Sequence, residues 1–494
     1  MSNRPETNKQ SCPVYKKCGG CQLQNLSYPE QLEFKQRKVE KLLKRFCTVE
    51  KIIGIKTPYH YRNKVQAAFY TDKKGKIISG VYQSGSHHVV GIDSCQTEDV
   101  IADKIIVAVR KLLPSFRMTT YNEDTGKGFL RHILVKRGFA TNQIMLVLVT
   151  GTPVFPSKNN FVKAILKQFP EITTIVQNIN PYRTNLVLGD NQKVLYGKGY
   201  IEDILCGCRF RISPKSFYQI NPVQTEVLYG KAIEFANLKG NETVLDTYCG
   251  IGTIGIIAAK NGAGNVIGAE LNGDAVRDAI VNARANNLKN IRFYKADAGE
   301  FMREVADEDE KPDVVFMDPP RAGSDRKFLD SLIKMSPKKV VYVSCNPETL
   351  ARDLAYLTQN SPYKAQKIQP VDMFPHTAHI ETVVMLSHKK PDGHINVKVE
   401  FGEGEGKVPL DNIAKRAESY KPKERVTYKM IKEYIEAKYG FKVHTAYIAE
   451  VKRDLGLPMY DAPNAAEGLK QTRKHPTQEK VNAIKDALNY YNLI

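Results

Sequence analysis

A cysteine in a polar loop is the residue of this sequence with the clearest chemical potential. It lies in Ser344-Cys345-Asn346-Pro347, directly after the apolar run 339–343. A thiolate adds to electron-poor carbon and can leave again, so this residue could act as a nucleophile. Carbon methylation of a pyrimidine needs such a group, because C5 of uracil attacks a methyl donor only after a thiolate has added to C6. A buried, inert side chain is the usual interpretation of a lone cysteine and stays open.

The same chemistry needs a general base, because the C5 proton must leave once the methyl group has been transferred. Glu381 is the candidate base; it opens an apolar run and follows His376 and His379. The two histidines are alternative proton carriers. Taken alone, a glutamate that enters an apolar strand is more often a salt-bridge partner than a base.

A glycine-rich turn between a predicted strand and a predicted helix indicates a cofactor site. Residues 242–255 read ETVLDTYCGIGTIG, and glycine lets the backbone approach a ligand where a Cβ atom would collide. In dinucleotide enzymes such a turn seats a pyrophosphate. Here, however, four predicted strands end in an acid, and the carboxyl ends of parallel strands converge on one crevice. Four acids suit a cationic nucleoside such as S-adenosylmethionine better, although any one could be a surface cap: Asp246, Glu270, Asp297 and Asp318.

The segment Asp318-Pro319-Pro320 by itself favours another reaction. It resembles the motif of enzymes that methylate exocyclic amino groups of bases. Cys345 follows the next predicted strand and is expected in the same crevice, which favours carbon methylation instead. Amino-group methylation, in which this cysteine would only contribute to packing, stays the alternative.

Three cysteines lie close together near the start of the chain, Cys12, Cys18 and Cys21, around Gly19-Gly20. The chain has 9 cysteines, spread unevenly and without a secretion signal, which argues against a disulfide scaffold. Three clustered thiols plus one remote donor suit zinc and an iron-sulfur cluster equally, and His87-His88 could supply nitrogen. The spacing alone leaves both groups open.

The charge balance indicates a polyanionic partner. The 494 residues include 73 Lys and Arg against 53 Asp and Glu, a formal net charge of +20. Neutralising phosphates releases counterions from nucleic acid, so such an excess favours nucleic-acid binding.

The hydrophobic content of 42% excludes a globally disordered chain. No stretch approaches the roughly 18 uninterrupted apolar residues of a membrane helix, and a soluble cytoplasmic protein is expected.

The candidate residues need a framework that brings distant segments together. From Ile52 to about Arg211, short apolar or alternating runs between turn residues predict an antiparallel or mixed sheet. From Thr243 onward, strands alternate with helical segments, which is typical of a doubly wound, mostly parallel sheet. The predicted strands are 65–70, 77–81, 132–137, 143–150, 174–178 and 185–188, then 243–245, 265–269, 291–295, 313–317 and 339–343.

Helical periodicity flanks these strands. Residues 31–46 predict a basic amphipathic helix in which Lys35 belongs to a solvated face over a core stripe. After a Gly-rich linker at 401–406, periodicity predicts helices over 428–438, 445–455 and 479–491. We therefore expect three domains: an α+β domain over 1–210, a doubly wound class I, Rossmann-like α/β domain over 211–388, and a linker with a small, basic helical module over 389–494.

Six of these features occur together in one chain. They are Cys12-x5-Cys18-x2-Cys21, Phe217-Tyr-Gln219-Ile-Asn221, Asp246-Thr-Tyr-Cys-Gly250, Asp318-Pro-Pro-Arg321, Ser344-Cys-Asn-Pro347 and His379-Ile-Glu381. In combination they resemble the RNA uracil-5-methyltransferases, specifically the iron-sulfur branch that acts on 23S ribosomal RNA. The resemblance covers about residues 12–388. It implies a class I methyltransferase domain that makes 5-methyluridine in structured RNA with S-adenosylmethionine.

The resemblance also assigns roles to individual residues. It implies Cys345 as the nucleophile and Glu381 as the base. It implies a set of S-adenosylmethionine contacts: Gln219, Tyr248, Thr253, Glu270, Asp297 and Asp318. It further implies that the N-terminal domain recognises RNA and holds a [4Fe-4S] cluster on Cys12, Cys18, Cys21 and the distant Cys95. A structural role suits such a cluster, since methyl transfer needs no electrons.

Two departures from the family are visible. Many relatives have a small β-barrel RNA-binding domain before the cysteines, whereas this chain has the helical C-terminal module, which we expect to supply RNA affinity. Thr253 stands where many relatives have Asn.

The expected substrate is 23S rRNA, with tRNA as the alternative, and we expect a monomer that uses neither DNA nor a membrane. A catalytically silent RNA-binding or iron-sulfur assembly factor is a third hypothesis, against which the retained cofactor residues argue.

Overall fold

The structure is a computed structural model of the chain. It describes residues 12–83, 86, 88–184, 186–307, 311–388, 428–455 and 476–491. The described residues up to 388 form one compact unit, and those from 428 onward form a second one. None of the described helices is both long and apolar enough to cross a membrane. The Gly-rich segment 401–406 lies outside the described residues, and the predicted domain boundaries at 210 and 388 stay predictions.

The chain opens with a short helix α1, Tyr15–Cys18, and a long helix α2, Tyr28–Leu43. Helix α2 begins three residues earlier than predicted because Ser27 and Glu30 form a capping box around its first turn. The predicted position of Lys35 on a solvated face is wrong. Its side chain is fully buried and forms an ion pair with Asp372 at 2.5 Å. Periodicity had placed it on the polar side, but the adjoining second sheet covers that position.

The first half of the chain folds into a mixed seven-stranded sheet, as the alternating runs predict. Its strand order is β3-β2-β1-β4-β5-β6-β7. Strands β5 and β6 are parallel and the other neighbours are antiparallel. Helices α3, Val100–Leu112, and α4, Lys158–Gln168, bury one face. The strands are β1 Lys64–Thr71, β2 Ile77–Tyr82, β3 Val89–Gly91, β4 Leu130–Arg137, β5 Ile144–Thr150, β6 Ile172–Ile179 and β7 Asn191–Tyr196.

The strand predicted at 185–188 is wrong for residues 186–188; residue 185 lies outside the described residues. These residues form a loop because the Asn180 side chain donates to the carbonyls of Leu186 and Val187, at 2.7 and 3.1 Å. The edge strand is β7, a few residues further along. A hairpin of β8, Ile201–Leu205, and β9, Cys208–Ile212, follows it.

The second half folds into the predicted doubly wound sheet, which confirms the Rossmann-like class. Its strand order is β12-β11-β10-β13-β14-β16-β15. The first five strands in this order are parallel, and β16 runs antiparallel between β14 and β15. The strands are β10 Thr243–Asp246, β11 Asn265–Glu270, β12 Ile291–Lys295, β13 Val314–Met317, β14 Lys339–Ser344, β15 Tyr363–Val371 and β16 Glu381–His388.

Helices cover both faces of this second sheet. On one face α5 and α6 share a hydrophobic cluster with the sheet, and on the other α9 and α10 do the same. Val39 and Leu43 of α2 belong to the second of these clusters. The order of the strands reverses between β10 and β13, since β11 and β12 lie on one side of β10 and the later strands on the other, and ligands of such sheets bind at this switch point. The helices are α5 Pro222–Ala236, α6 Thr253–Lys260, α7 Gly273–Ala285, α8 Ala298–Asp307, α9 Arg326–Met335 and α10 Pro347–Asn360.

The second unit is a small helical module, as predicted. It consists of α11 Tyr428–Tyr439, α12 Thr445–Asp454 and α13 Gln478–Tyr490. Gly440 follows α11 with a φ of 74°, a conformation that favours glycine and ends the helix. A core of Ile431, Ile435, Ile448 and Leu488 holds the three helices together.

Candidate active site

A cleft of about 470 Å³ opens at the carboxyl edge of the second sheet. It lies at the switch point that the topology predicts. Seven of the eight predicted catalytic and cofactor residues line it: Gln219, Tyr248, Thr253, Glu270, Asp318, Cys345 and Glu381. Its volume lies in the range typical of small-molecule sites.

Strand register brings the predicted nucleophile and base together. Ser344, the last residue of β14, pairs with Thr382 of the antiparallel strand β16. Continuing this register places Cys345 opposite Glu381, although a helix and a strand separate them in sequence. Both side chains line the cleft.

Hydrogen bonds fix the loop that carries Cys345. The Asn346 side chain caps α10 by accepting a hydrogen bond from the backbone N–H of Glu348 at 3.1 Å. Its amide Nδ2 donates to the carbonyl of Arg321 at 3.2 Å. The Thr349 hydroxyl donates to the same carbonyl, also at 3.2 Å. The loop after β14 is thereby attached to the Asp318-Pro319-Pro320-Arg321 loop after β13.

Burial and crowding of acids determine the charge state of this site. Burial raises the pKa of the Cys345 thiol to about 11, with Glu381 and Asp318 adding to the shift and Arg321 opposing it. Burial, reinforced by Asp318, also raises the pKa of Glu381 well above its usual value. For Asp318 burial raises the pKa to about 7. The free site therefore favours a protonated thiol and a protonated Glu381, because the positive charge of Arg321 offsets only part of the effect of burial.

The glycine turn after β10 lets the backbone lie close to neighbouring groups. Gly252 has a φ of 83°, and a Cβ atom there would lie 2.7 Å from the Phe293 ring. The N–H of Gly255 donates to Asp246 Oδ2 at 2.8 Å, which ties α6 to the end of β10. The other oxygen, Oδ1, is buried and has no hydrogen-bond partner in the described part of the chain. Burial raises the pKa of this carboxyl to about 7.

Glu270 holds the two loops that flank the cofactor side of the cleft. Its Oε2 accepts from the N–H of Gly250 at 3.1 Å, and its Oε1 accepts from Asn272 at 2.8 Å. An acidic side chain at the end of this second strand suits a ribose diol. Glu270 and Asp318 line one cleft and suit a cationic nucleoside, whereas Asp246 is fully buried behind the glycine turn and is not part of the lining.

Sequence reasoning missed Tyr229 of α5, which lies behind the cofactor side of the cleft. It is 3% exposed and lines the cleft. Burial raises its pKa, and the side chains of Thr253 and Gln219 oppose part of this shift. Tyr229 therefore lies beside two of the predicted cofactor residues. A tyrosine eight residues after the Asn221 helix cap carries no pattern that would have marked it.

Asp297 is the predicted cofactor residue that the cleft lining does not include. It is exposed, and its Oδ1 accepts from the N–H groups of Gly299 and Glu300 at 2.9 and 3.1 Å. It thus caps the start of α8. A contact between Asp297 and the cofactor stays a prediction.

The two histidines near the proposed base have different surroundings. His376 is buried, stacks on Tyr59 with ring centroids 5.0 Å apart, and contacts the Gln31 side chain at 3.2 Å. It is absent from the cleft lining, whereas His379 belongs to it. His379 lies 3.4 Å from the Arg321 guanidinium, and burial lowers its pKa. Of the two, only His379 is placed to meet a ligand in the cleft.

The cysteines predicted to bind a metal group influence one another electrostatically. Burial raises the pKa of the Cys21 thiol to about 12, and the neighbouring thiols Cys95, Cys18 and Cys12 add to this shift. Mutual influence of this kind requires proximity, and four thiols are the donor set of an iron-sulfur or zinc site. As placed, however, no three His, Cys, Asp or Glu side chains among the described residues lie close enough to hold a metal ion.

Comparisons with known proteins agree with this architecture. Residues 183–389 match the family described as tRNA (Uracil-5-)-methyltransferase. An uncharacterized RNA methyltransferase of Bacillus cereus is 43% identical over 388 residues, covering 78% of this chain and 84% of that protein. One from Listeria monocytogenes is 46% identical over 379 residues, covering 76% and 83%.

A solved structure is similar over most of the chain as well. It is the tRNA (uracil-54, C5)-methyltransferase of Pyrococcus abyssi in complex with S-adenosyl-L-homocysteine. The identity is 31% and the TM-score 0.63, and the match covers 74% of this chain and 85% of that one.

Proposed function

This chain belongs to the uracil-5-methyltransferase family of S-adenosylmethionine-dependent RNA methyltransferases, and from that premise we propose that it methylates C5 of a uridine in structured RNA. The observation that supports the proposal best is the cleft shared by Cys345, Glu381 and the acidic strand ends. A thiol and a carboxyl on neighbouring strands are the two groups that carbon methylation of uracil requires.

The proposed chemistry assigns one bond change to each residue. The uridine is flipped into the cleft, Cys345 and Glu381 release their protons to solvent, and the Cys345 thiolate adds to C6, which makes C5 a nucleophile. S-Adenosylmethionine supplies the methyl group to C5 as substrate. Glu381, as a carboxylate, then removes the C5 proton, and the electron pair of that C–H bond re-forms the C5–C6 double bond while the Cys345 sulfur leaves.

The cofactor residues have separate proposed tasks. Glu270 would bind the ribose hydroxyls, and Asp318 would lie near the cationic end of the molecule. Gln219 and Thr253, beside Tyr229, would enclose the remaining parts together with Tyr248. Tyr248 is itself supported by Phe328, with ring centroids 5.4 Å apart.

Substrates that trap the intermediate test the roles of Cys345 and Glu381. RNA containing 5-fluorouridine should form a covalent complex with the wild type and none with Cys345→Ala. Glu381→Gln should accumulate a covalent complex with ordinary uridine, because the C5 proton stays in place. Cys47→Ser is the matched control, since that thiol donates to the Gln366 carbonyl and is not part of the cleft lining. A crosslink that maps to another side chain would refute the mechanism.

Our proposed substrate is 23S rRNA, on the resemblance of the cysteine segment to the rRNA-specific branch. The net charge of +20 supports an RNA substrate but not a particular one. We propose that the enzyme acts in the cytoplasm as a monomer. Mapping 5-methyluridine in rRNA and tRNA of cells that lack the protein decides the question: loss in tRNA alone would reject the rRNA proposal.

We further propose that Cys12, Cys18, Cys21 and Cys95 hold a [4Fe-4S] cluster with a structural role. The mutual influence of these thiols supports a shared ligand group. Anaerobically purified protein should contain about four iron and four sulfide per chain, and Cys21→Ser should lose them. Stoichiometric zinc without sulfide would identify the alternative.

A further inference from the structure

The loop between β15 and β16, residues 372–380, carries a large part of the catalytic side of the cleft. Phe374 and His379 of this loop line the cleft, and Glu381 follows it directly. Any displacement of the loop therefore moves the proposed base relative to Cys345. The family assigns roles to Cys345 and Glu381 but leaves open what holds the loop in place.

The backbone of this loop is bound by polar groups from distant parts of the chain. Four successive carbonyls each accept one hydrogen bond from outside the loop, and the N–H of Ala378 donates one to the Gln22 side chain at 3.2 Å. The carbonyl donors are Asn221 Nδ2 to Met373 at 2.9 Å, Lys35 Nζ to Phe374 at 3.0 Å, Tyr61 Oη to Pro375 at 3.0 Å, and the Leu23 N–H to His376 at 2.9 Å.

Lys35 makes the charged contact in this set. Its ammonium group is fully buried, pairs with Asp372 Oδ1 at 2.5 Å and donates to the Phe374 carbonyl. The Tyr28 hydroxyl donates to Asp372 Oδ2 at 2.9 Å, so the first residue of the loop is held on both oxygens. One turn before Lys35, Gln31 accepts from the N–H of His376 at 2.8 Å.

A buried ion pair adds little to the free energy of unfolding. Desolvation offsets most of its attraction, and apolar side chains of similar volume often serve the fold equally well. The ammonium group does, however, orient the loop, because it binds the Phe374 carbonyl and the Asp372 carboxylate at the same time. The orientation of the loop is important because the loop must place the proposed base, Glu381, within hydrogen-bond reach of the substrate.

We propose that Lys35 is a positioning residue for the methyl transfer, holding residues 372–380 so that Glu381 faces the substrate carbon above Cys345. The proposal rests on the proposed function and deepens it. Lys35 acts through the loop and contacts neither substrate nor cofactor. The ammonium group, rather than the volume of the side chain, is the part of Lys35 that does this.

The test compares three variants of the full-length protein. Lys35→Met leaves Asp372 buried without its cation and can fail to fold. The double variant Lys35→Met/Asp372→Asn removes both charges and leaves the Phe374 carbonyl only the local hydrogen bonds that the N–H and hydroxyl of Thr377 donate. Glu33→Gln is the matched control, since it breaks an exposed pair with Arg37 on the same helix. Hydrogen exchange of 372–380 reports loop order without reference to activity.

We expect the double variant to melt close to the wild type, to bind S-adenosylmethionine normally and to lose about 10²-fold in kcat at unchanged KM for RNA. Because proton removal becomes slow, it should accumulate a covalent complex with ordinary uridine RNA. Faster exchange confined to 372–380 should accompany this. Glu33→Gln should resemble the wild type in each measurement.

Other outcomes overturn the inference. Wild-type kcat and exchange in the folded double variant would show that the loop does not need Lys35. Failure of the double variant to fold, or a kcat loss equal to the unfolded fraction, would make Lys35 a purely structural residue. Absence of any covalent complex from the wild type with 5-fluorouridine RNA would instead refute the proposed function, and the exchange data would still decide whether Lys35 orders the loop.

Discussion

Asp318 should make S-adenosylmethionine binding depend on pH. Burial raises the pKa of this carboxyl to about 7, so it is neutral below that pH and charged above it. A sulfonium cation binds the charged form better. Affinity should therefore be full above pH 7 and fall as the pH drops through 7. S-Adenosylhomocysteine, whose sulfur is neutral, should show a much weaker dependence.

The size of the effect follows from the ionised fraction. With a pKa near 7, about one tenth of the carboxyl is ionised at pH 6 and about nine tenths at pH 8. The association constant should thus rise about tenfold over this range. Asp318→Asn should bind more weakly at pH 8 and lose the slope. Asp190→Asn serves as the control, because that exposed residue pairs with Lys215, is not part of the cleft lining and should leave the slope intact.

The same pKa has the opposite effect on the stability of the free protein. A carboxyl whose folded pKa exceeds its unfolded value stabilises the fold at low pH, and this contribution is lost between about pH 4 and 7. Asp318→Asn should therefore raise the free energy of unfolding at pH 8. The gain is at most about 4 kcal/mol and smaller to the extent that water reaches the carboxylate through the open cleft.

Isothermal titration at pH 6, 7 and 8, in buffers that differ in ionisation enthalpy, measures both affinity and proton release. The reasoning fails if the wild type shows a flat affinity profile. It also fails if Asp318→Asn keeps the full dependence of affinity on pH. Another acid, such as Asp246, whose pKa is also near 7, would then be responsible for that dependence.

Four further predictions concern other parts of the molecule. Because the pKa of Cys345 is about 11, its labelling by iodoacetamide should accelerate about tenfold per pH unit between pH 8 and 10; a rate independent of pH would contradict this. Gly252→Ala, which places a Cβ atom against Phe293, should cost about 1–3 kcal/mol in urea unfolding and weaken cofactor binding. Gly262→Ala is its control, with a φ of 94° but open space around the Cβ position. Lys35→Met should lose about 3–5 kcal/mol of unfolding free energy by leaving Asp372 unpaired, and adding Asp372→Asn should restore most of it. Deleting residues 395–494 should weaken RNA binding in filter assays and leave S-adenosylmethionine binding unchanged; equal RNA affinity would reject a role for the helical module.

Local patterns in the sequence were sufficient for strands β10 to β14, the glycine turn and the residues at the strand ends. Alternation and apolar runs predict β12 over 291–295 and most of its neighbours because side-chain periodicity is a property of a single strand. Glycine at 252 is required by the local backbone, whose φ is 83°. The order of acids at the carboxyl ends indicates one crevice because parallel strands point the same way.

Contacts between distant parts of the chain determine the features that local patterns did not predict. The polar periodicity of α2 predicts a solvated Lys35, yet the side chain is buried against Asp372, because the burial of a helix face depends on what covers it. Tyr229 enters the site from a helix whose sequence gives no sign of it, and Asp297, although at a strand end, turns to cap a helix.

The sequence by itself determined which chemical groups are available and on which kind of element each one lies. Only the tertiary structure decided which of them meet: the antiparallel return of β16 beside β14 sets Glu381 opposite Cys345. The physical reason is that hydrogen-bonding preferences and periodicity act over a few residues, whereas strand order and register minimise the free energy of the whole packed core.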